Sequence, residues 1–248
     1  MKLALFSAVA LIALSVPATA QTVSAPIKAA LADAGRPATD TERDAARHPG
    51  EILAFVGVKP GDKVADFIMG GGYWSRILSK TVGPKGKVYA YQPEEFIKFS
   101  ADYGVQLKAV TDAYPNVAGS SASLASFSFP EPLDAIVTVQ NWHDLHLKMS
   151  PPGFAGVVAK KLYDSLKPGG VLLVVDHVAN ADPEFAVPEA LHRIDPAAAR
   201  AEIEKAGFKF EGSLPLLANS ADPHTASVFD PSIKGKTDQF VFKFRKPK

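Results

Sequence analysis

The chain has 248 residues, 47% apolar and 21% charged, ordinary proportions for a globular protein with one sizeable α/β domain or two small ones. A formal net charge of +1 argues against a nucleic-acid binder that relies on phosphate neutralisation. With no cysteine, no disulfide can form, which leaves the compartment open.

The first twenty residues speak to the compartment. Lys2 supplies a minimal positive region, Leu3 to Val16 is apolar with only serine interruptions, and Pro17-Ala18-Thr19-Ala20 matches a small-x-small cleavage pattern. Residues 1–20 therefore read as a signal peptide cut before Gln21. The apolar core is short for a membrane span and Pro17 ends it, so an uncleaved anchor is the lesser alternative. No cysteine follows, so a lipobox-type anchor is excluded. The expectation is a periplasmic or secreted protein with no stable membrane anchor. Residues 21–50 read as a helical extension. Thr39 to Asp44 has capping residues and acids in a first turn. Pro49 interrupts, and Gly50 to Val58 reads as a second helix stopped by Lys59-Pro60-Gly61-Asp62.

The remaining residues, 51–248, alternate. Val64 to Met69 is strand-like, Trp74 to Val82 helical, Lys87 to Tyr91 strand-like and Glu94 to Tyr114 mostly helical. Leu124 to Phe129 reads as a weak strand, Leu133 to Val139 as a strong one, and Phe154 to Leu166 as an amphipathic helix. The turn Lys167-Pro168-Gly169-Gly170 feeds the apolar strand Val171 to Asp176. Strands alternating with helices predict a parallel sheet covered on both faces. Asp195 to Ala206 is a helix with Pro196 at its first position. Phe208 to Leu217 and Gln239 to Arg245 alternate apolar and polar residues, as antiparallel edge strands do.

The most informative stretch is Asp66-Phe67-Ile68-Met69-Gly70-Gly71-Gly72-Tyr73-Trp74-Ser75. Glycines between a strand and a helix allow positive φ and bring the backbone close to a ligand. The helix that follows points free N–H groups at the same place. With Val-Lys-Pro-Gly-Asp-Lys-Val ahead of it, Gly83-Pro84-Lys85-Gly86-Lys87-Val88, Leu133-Asp134-Ala135-Ile136-Val137, Leu166-Lys167-Pro168-Gly169-Gly170-Val171 and Ala206-Gly207-Phe208 complete a pattern in fixed order. Over residues 51–245 the chain resembles class I S-adenosylmethionine-dependent methyltransferases. More narrowly, Asn141-Trp142-His143-Asp144, His192-Arg193-Ile194-Asp195, His224-Thr225 and Gly235 to Phe240 resemble a group of exported bacterial predicted methyltransferases. The resemblance implies a Rossmann-like, seven-stranded, mostly parallel sheet with an antiparallel last strand and helices on both faces.

It further implies S-adenosylmethionine as cofactor, with Asp66 near its methionine end and Gly70, Gly71, Gly72 and Tyr73 around its amino-acid and ribose groups. Two departures stand out. Ile68 occupies the first glycine position, where a β-branched side chain opposes positive φ, so the turn is expected to differ locally or the cofactor to sit lower. Gln92 stands where an acid normally holds the ribose hydroxyls, with Glu94 or Glu95 the nearest substitutes. Asn141 and Trp142 lie on the cofactor side of the strand that ends at Val139, though Trp142 also reads as ordinary core. His143 is the candidate general base, with Asp144 setting its tautomer, against the plainer reading of a loop-ordering histidine.

No metal is expected, because close ligand spacing is missing. Were one bound, His143, His177, His192 and His224 would be its candidates. Arg36, Asp40, Arg43, Asp44, Arg47 and His48 read as exposed ion pairs, or else Arg43 or His48 meets the cofactor carboxylate or an acidic substrate. The residues thus point to a methyltransferase acting on a small molecule, with no nucleic-acid partner. An exported, non-catalytic binder of a nucleoside or other small ligand is the alternative, and a metal-dependent hydrolase a third.

Overall fold

The computed structural model describes residues 22–248; the leader and its cleavage point lie outside the described residues. The apolar runs become β1 (Lys63–Phe67), β2 (Lys87–Tyr91), β3 (Val117–Ser120), β4 (Leu133–Val139) and β5 (Leu166–His177), followed by β6 (Lys209–Leu214) and β7 (Gln239–Arg245). They form one sheet in the order β3-β2-β1-β4-β5-β7-β6. The first five strands pair in parallel, and β7 runs antiparallel to both β5 and β6. This is the Rossmann-like sheet with an antiparallel last strand that the sequence implied.

Successive side chains of a strand leave on opposite faces, so each central strand serves two cores. Val64, Val88, Ala135 and Leu173 face one cluster, which Ile52 and Leu53, Ile77 and Leu78, and Val110 cover. These covering residues come from α4 (Pro49–Val56), α5 (Tyr73–Val82) and α7 (Asp102–Ala113), the last preceded by the short α6 (Glu94–Phe99). Ala65, Tyr89, Ile136 and Leu172 face the other cluster, beneath α8 (Phe154–Ser165) and α10 (Pro196–Lys205). Asp195 caps α10 by accepting from Ala197 N at 2.8 Å, and Pro196 at its first position forfeits no helical hydrogen bond. The extension supplies α1 (Ala25–Leu31), α2 (Ala38–Thr41) and α3 (Asp44–Arg47). Ile27 and Ala30 of α1 join the first core, so the extension shares the core of the sheet domain.

Three boundaries differ from expectation. Leu124 to Phe129 is not a strand; its apolar residues are core anchors of a loop, Leu124 N donating to Glu95 and Phe127 N to Ser123 O. The third strand is instead Val117–Ser120, an edge strand with only Val117 buried and therefore without an apolar pattern. Pro49 starts a helix rather than interrupting one, since the first helical position needs no N–H. Phe208 to Leu217 stops being a strand at Leu214, where Pro215 opens a 3₁₀ turn.

In a parallel sheet every strand-to-helix connection emerges at one edge. Here that edge collects the glycine turn after β1, the loops after β2 and β4, and the loop after β5. The long segment before β7 joins them, because β7 enters from that end.

Candidate functional site

The glycine turn has the conformation the sequence seemed to forbid. Ile68 sits at φ 62°, Gly70 at 56° and Gly72 at 80°, so Ile68 adopts the left-handed backbone expected of glycine. The expectation of a locally different turn is corrected: neighbours hold Ile68 in place at a cost of about 1–3 kcal/mol. Its side chain is buried in the second core. Asn141 Nδ2 donates to Ile68 O at 3.0 Å and to Val139 O at 2.8 Å, tying the ends of β1 and β4 together. Gly70 N donates to Gln92 Oε1 at 2.8 Å, which adds the end of β2.

Gln92 is fully buried, and its Nε2 has no hydrogen-bond partner among the described residues. An orphaned buried amide donor costs about 1–3 kcal/mol and calls for an acceptor. Glu95 is tied to Ser123 and Leu124, and Glu94 pairs with Lys98 at 3.3 Å, so Gln92 alone holds the position at the end of β2. Below the turn, Asp66 accepts from Ser75 Oγ at 2.6 Å, and burial raises its pKa to about 6.

The three glycines are not equivalent. A Cβ on Gly72 would lie 2.5 Å from Val110 Cγ2, whereas one on Gly70 or Gly71 would meet nothing within 4 Å. Gly71 is exposed and shows no left-handed φ, so neither packing nor backbone explains its lack of a side chain.

The extension clamps onto the helix that leaves this turn. Asp40, 1% exposed, accepts from Arg76 Nε at 2.6 Å and from Arg43 at 2.9 Å. Arg36 holds Asp44 in two hydrogen bonds of 2.7 and 2.6 Å, and Asp44 also accepts from Tyr73 Oη at 2.6 Å. Arg36 and Asp40 are thus buried at this interface, which corrects the exposed-pair reading for them, while Arg43 pairs with Asp40 from the exposed side. Tyr73 faces the extension rather than the open side of the turn. Arg43 and His48, the expected carboxylate contacts, are turned away: Arg43 is spent on Asp40 and Thr39 O, and His48 lies 3.8 Å from Glu51. Arg47 has the free position, stacked on the Tyr73 ring at 4.8 Å and donating to the neutral Gln140 Oε1 at 3.2 Å. Burial draws its pKa down, a sign of incomplete compensation. Nothing in the sequence separates Arg47 from its neighbours, since all belong to one polar stretch between residues 36 and 48.

Past β4, Asn141, His143 and Asp144 reach the sheet edge, but Trp142 does not. Its ring is 0% exposed in the second core and its Nε1 donates to Glu202, so it presents no face to a ligand. His143 lies between two carboxylates, Nδ1 2.7 Å from Asp176 Oδ1 and Nε2 3.2 Å from Asp144 Oδ1. Asp176 also accepts from the backbone N–H of His143 and of His177, each at 2.8 Å. Burial alone would lower the His143 pKa, but Asp176 and Asp144 outweigh it and hold the value at about 10. With both nitrogens engaged, His143 offers no lone pair to an acceptor, which corrects its expected role as general base.

His192, on a left-handed residue closing α9 (Pro188–Leu191), brings Nδ1 to 3.6 Å from Asp144 Oδ1. His177 bonds Thr237 at 2.7 Å and burial lowers its pKa to about 4. His224 pairs with Asp238 at 2.9 Å. Of the four histidines named from sequence, the structure therefore joins His143 to His192, with Asp144 between them. Asp176 was legible as the one acid ending an apolar strand. Tyr103 of α7, raised by burial and by the nearby Asp144, carried no signal.

No protein-family model matches this sequence, and no curated protein matches it. Solved structures do resemble the fold. A methyltransferase dependent on S-adenosylmethionine from Aquifex aeolicus is 22% identical, covering 83% of this chain and 93% of its own at a TM-score of 0.55. A putative methyltransferase of Haloferax volcanii, solved with the Trm112 methyltransferase activator, is 16% identical, covering 92% of this chain and 98% of its own at 0.59. The [4+2]-cyclase SpnF is 18% identical, covering 87% of this chain and 84% of its own at 0.58. These likenesses establish the Rossmann-like methyltransferase fold for this chain, and SpnF shows that the fold also carries other chemistry.

Proposed function

We propose that the chain is an S-adenosylmethionine-dependent methyltransferase acting on a small-molecule acceptor. Gly71 carries this reading: the protein itself has no use for a missing side chain there, whereas a ligand lying along the turn does. The donors around it fit the cofactor. The backbone at Gly70 and Gly71 leaves room for its amino-acid and ribose groups. Gln92 Nε2 would donate to a ribose hydroxyl, and Arg47 would meet the carboxylate. When bound, S-adenosylmethionine supplies a sulfonium methyl group for in-line displacement. Asn141 keeps the turn shut onto β4, so the chain's share of catalysis is orientation of donor and acceptor for direct transfer, without a covalent enzyme intermediate. On the acceptor side Asp144, whose pKa burial raises but His143 and His192 bring below the usual range, stays ionised to receive a proton.

Calorimetric titration with S-adenosylmethionine and S-adenosylhomocysteine tests this reading. Micromolar binding, weakened at least about tenfold in Gly71→Ala with an unchanged melting temperature, is expected. No heat and no thermal shift at millimolar ligand would overturn it and leave the non-catalytic binding protein.

A further inference from the structure

We propose that His143, Asp144 and His192 bind a divalent transition-metal ion at the sheet edge, with zinc as the ion of first choice. One donor atom from each residue lies within 4.8 Å of the others. The two separations through Asp144 Oδ1 are 3.2 Å to His143 Nε2 and 3.6 Å to His192 Nδ1. Tetrahedral zinc with ligand bonds of about 2.0–2.1 Å requires donor-to-donor edges of about 3.3 Å, between these two values. The two edges through Asp144 therefore already match an ion within a few tenths of an ångström, and the third, His143 to His192, is no longer than 4.8 Å.

Two further features go beyond proximity. Asp176 receives Nδ1 of His143, the carboxylate–histidine arrangement that fixes which nitrogen a metal-bound imidazole presents. It is itself locked by two backbone N–H groups at 2.8 Å, so it is a rigid second partner. An ion here takes the place of the proton that His143 shares with Asp144. Asp144 and Asp176 are buried or nearly so, and among the described residues neither pairs with a lysine or arginine. As the ion binds, the Nε2 proton of His143 leaves to solvent; two carboxylates, two neutral imidazoles and one divalent ion then sum to zero.

Two histidines and one carboxylate leave a fourth position, the pattern of sites that bind water or substrate oxygen rather than of closed structural sites. His192, with its side chain 28% exposed, lies on the solvent side, and the Phe229 ring stands 4.8 Å from it. Given the methyltransferase reading, the metal narrows the acceptor to one with an oxygen that ligates the ion, whose proton the ion makes easier to lose. Metal binding itself does not depend on that reading. The spacing that argued against a metal is explained by topology: the loops after β4 and β5 bring together ligands 48 residues apart in sequence, counted from Asp144 to His192.

The test is titration of the chelator-treated full chain with Zn²⁺ alone, and with Co²⁺ as a spectroscopic probe. One ion per chain is expected, with the visible absorption of four-coordinate Co²⁺. His192→Ala should weaken Zn²⁺ binding at least about 30-fold while the metal-free melting temperature holds. Asp176→Asn, which spares every ligand, should cost about 10–100-fold. His48→Ala, a surface histidine, should change nothing. No binding at millimolar Zn²⁺, or equal binding by wild type and His192→Ala, overturns the proposal. A chain that binds zinc but not S-adenosylmethionine keeps the metal site and refutes the methyltransferase.

Discussion

Single residues carry the sharpest consequences. Gly72 combines φ 80° with a Cβ position 2.5 Å from Val110, so Gly72→Val should unfold the turn and lower the melting temperature rather than block a ligand cleanly. Gly71→Ala is the variant that isolates binding. Among the described residues His143 alone bridges Asp144 and Asp176. His143→Ala leaves two buried carboxylates facing each other and should cost about 3–5 kcal/mol by chemical denaturation. An unchanged denaturation midpoint would show that the bridge is not structural. Asp66 acts in the opposite sense to a paired acid. Burial holds it at about 6, above its unfolded 3.8. Between those values the folded chain binds more protons, so this contribution is fully present below the unfolded value and is lost as pH rises through about 6. The difference amounts to up to about 3 kcal/mol. Stability of the wild type relative to Asp66→Asn should therefore rise as pH falls from 7 to 4.5; a flat difference would contradict the burial argument.

Among the elements, the short helices at the start of the chain do more than cover a surface. None of α1 to α3 is long enough to be stable alone. They are held by ion pairs to α5, the helix whose first residue follows the glycine turn. Asp40 joins both sides, through Arg76 on α5 and Arg43 on its own segment. Asp40→Ala should leave Arg76 buried without a carboxylate, cost about 3 kcal/mol and expose residues 22–48 to limited proteolysis. S-adenosylmethionine binding should weaken with it, because Arg47 is carried by the same helices. Resistance to protease equal to that of the wild type would mean that apolar packing of Ile27 and Ala30 is enough.

For the molecule as a whole, the leader and the cofactor make separate claims. We infer export from residues 1–20, and the intact mass of the protein recovered from a periplasmic extract tests it. An N-terminus at Gln21 is expected, and a retained Met1 would refute cleavage. How far the sequence reaches depends on the range of the interactions involved. By itself it determined the order of strands and helices, the sheet type and the glycine turn. These follow from local apolar runs and from punctuation such as Lys167-Pro168-Gly169-Gly170. Val117–Ser120 escaped because an edge strand buries too little to show a period. Only the tertiary structure decided that Ile68 takes a glycine conformation, since Asn141, which bonds its carbonyl, follows β4, and Gln92, which bonds Gly70 in the same turn, follows β2. It also decided that Arg47 reaches Gln140 past the end of β4 while Arg43 is held by Asp40, that Trp142 is core, and that His143 is bridged rather than free. In each case the deciding partner is distant in sequence, and pairing across a sheet edge leaves no periodic trace along the chain.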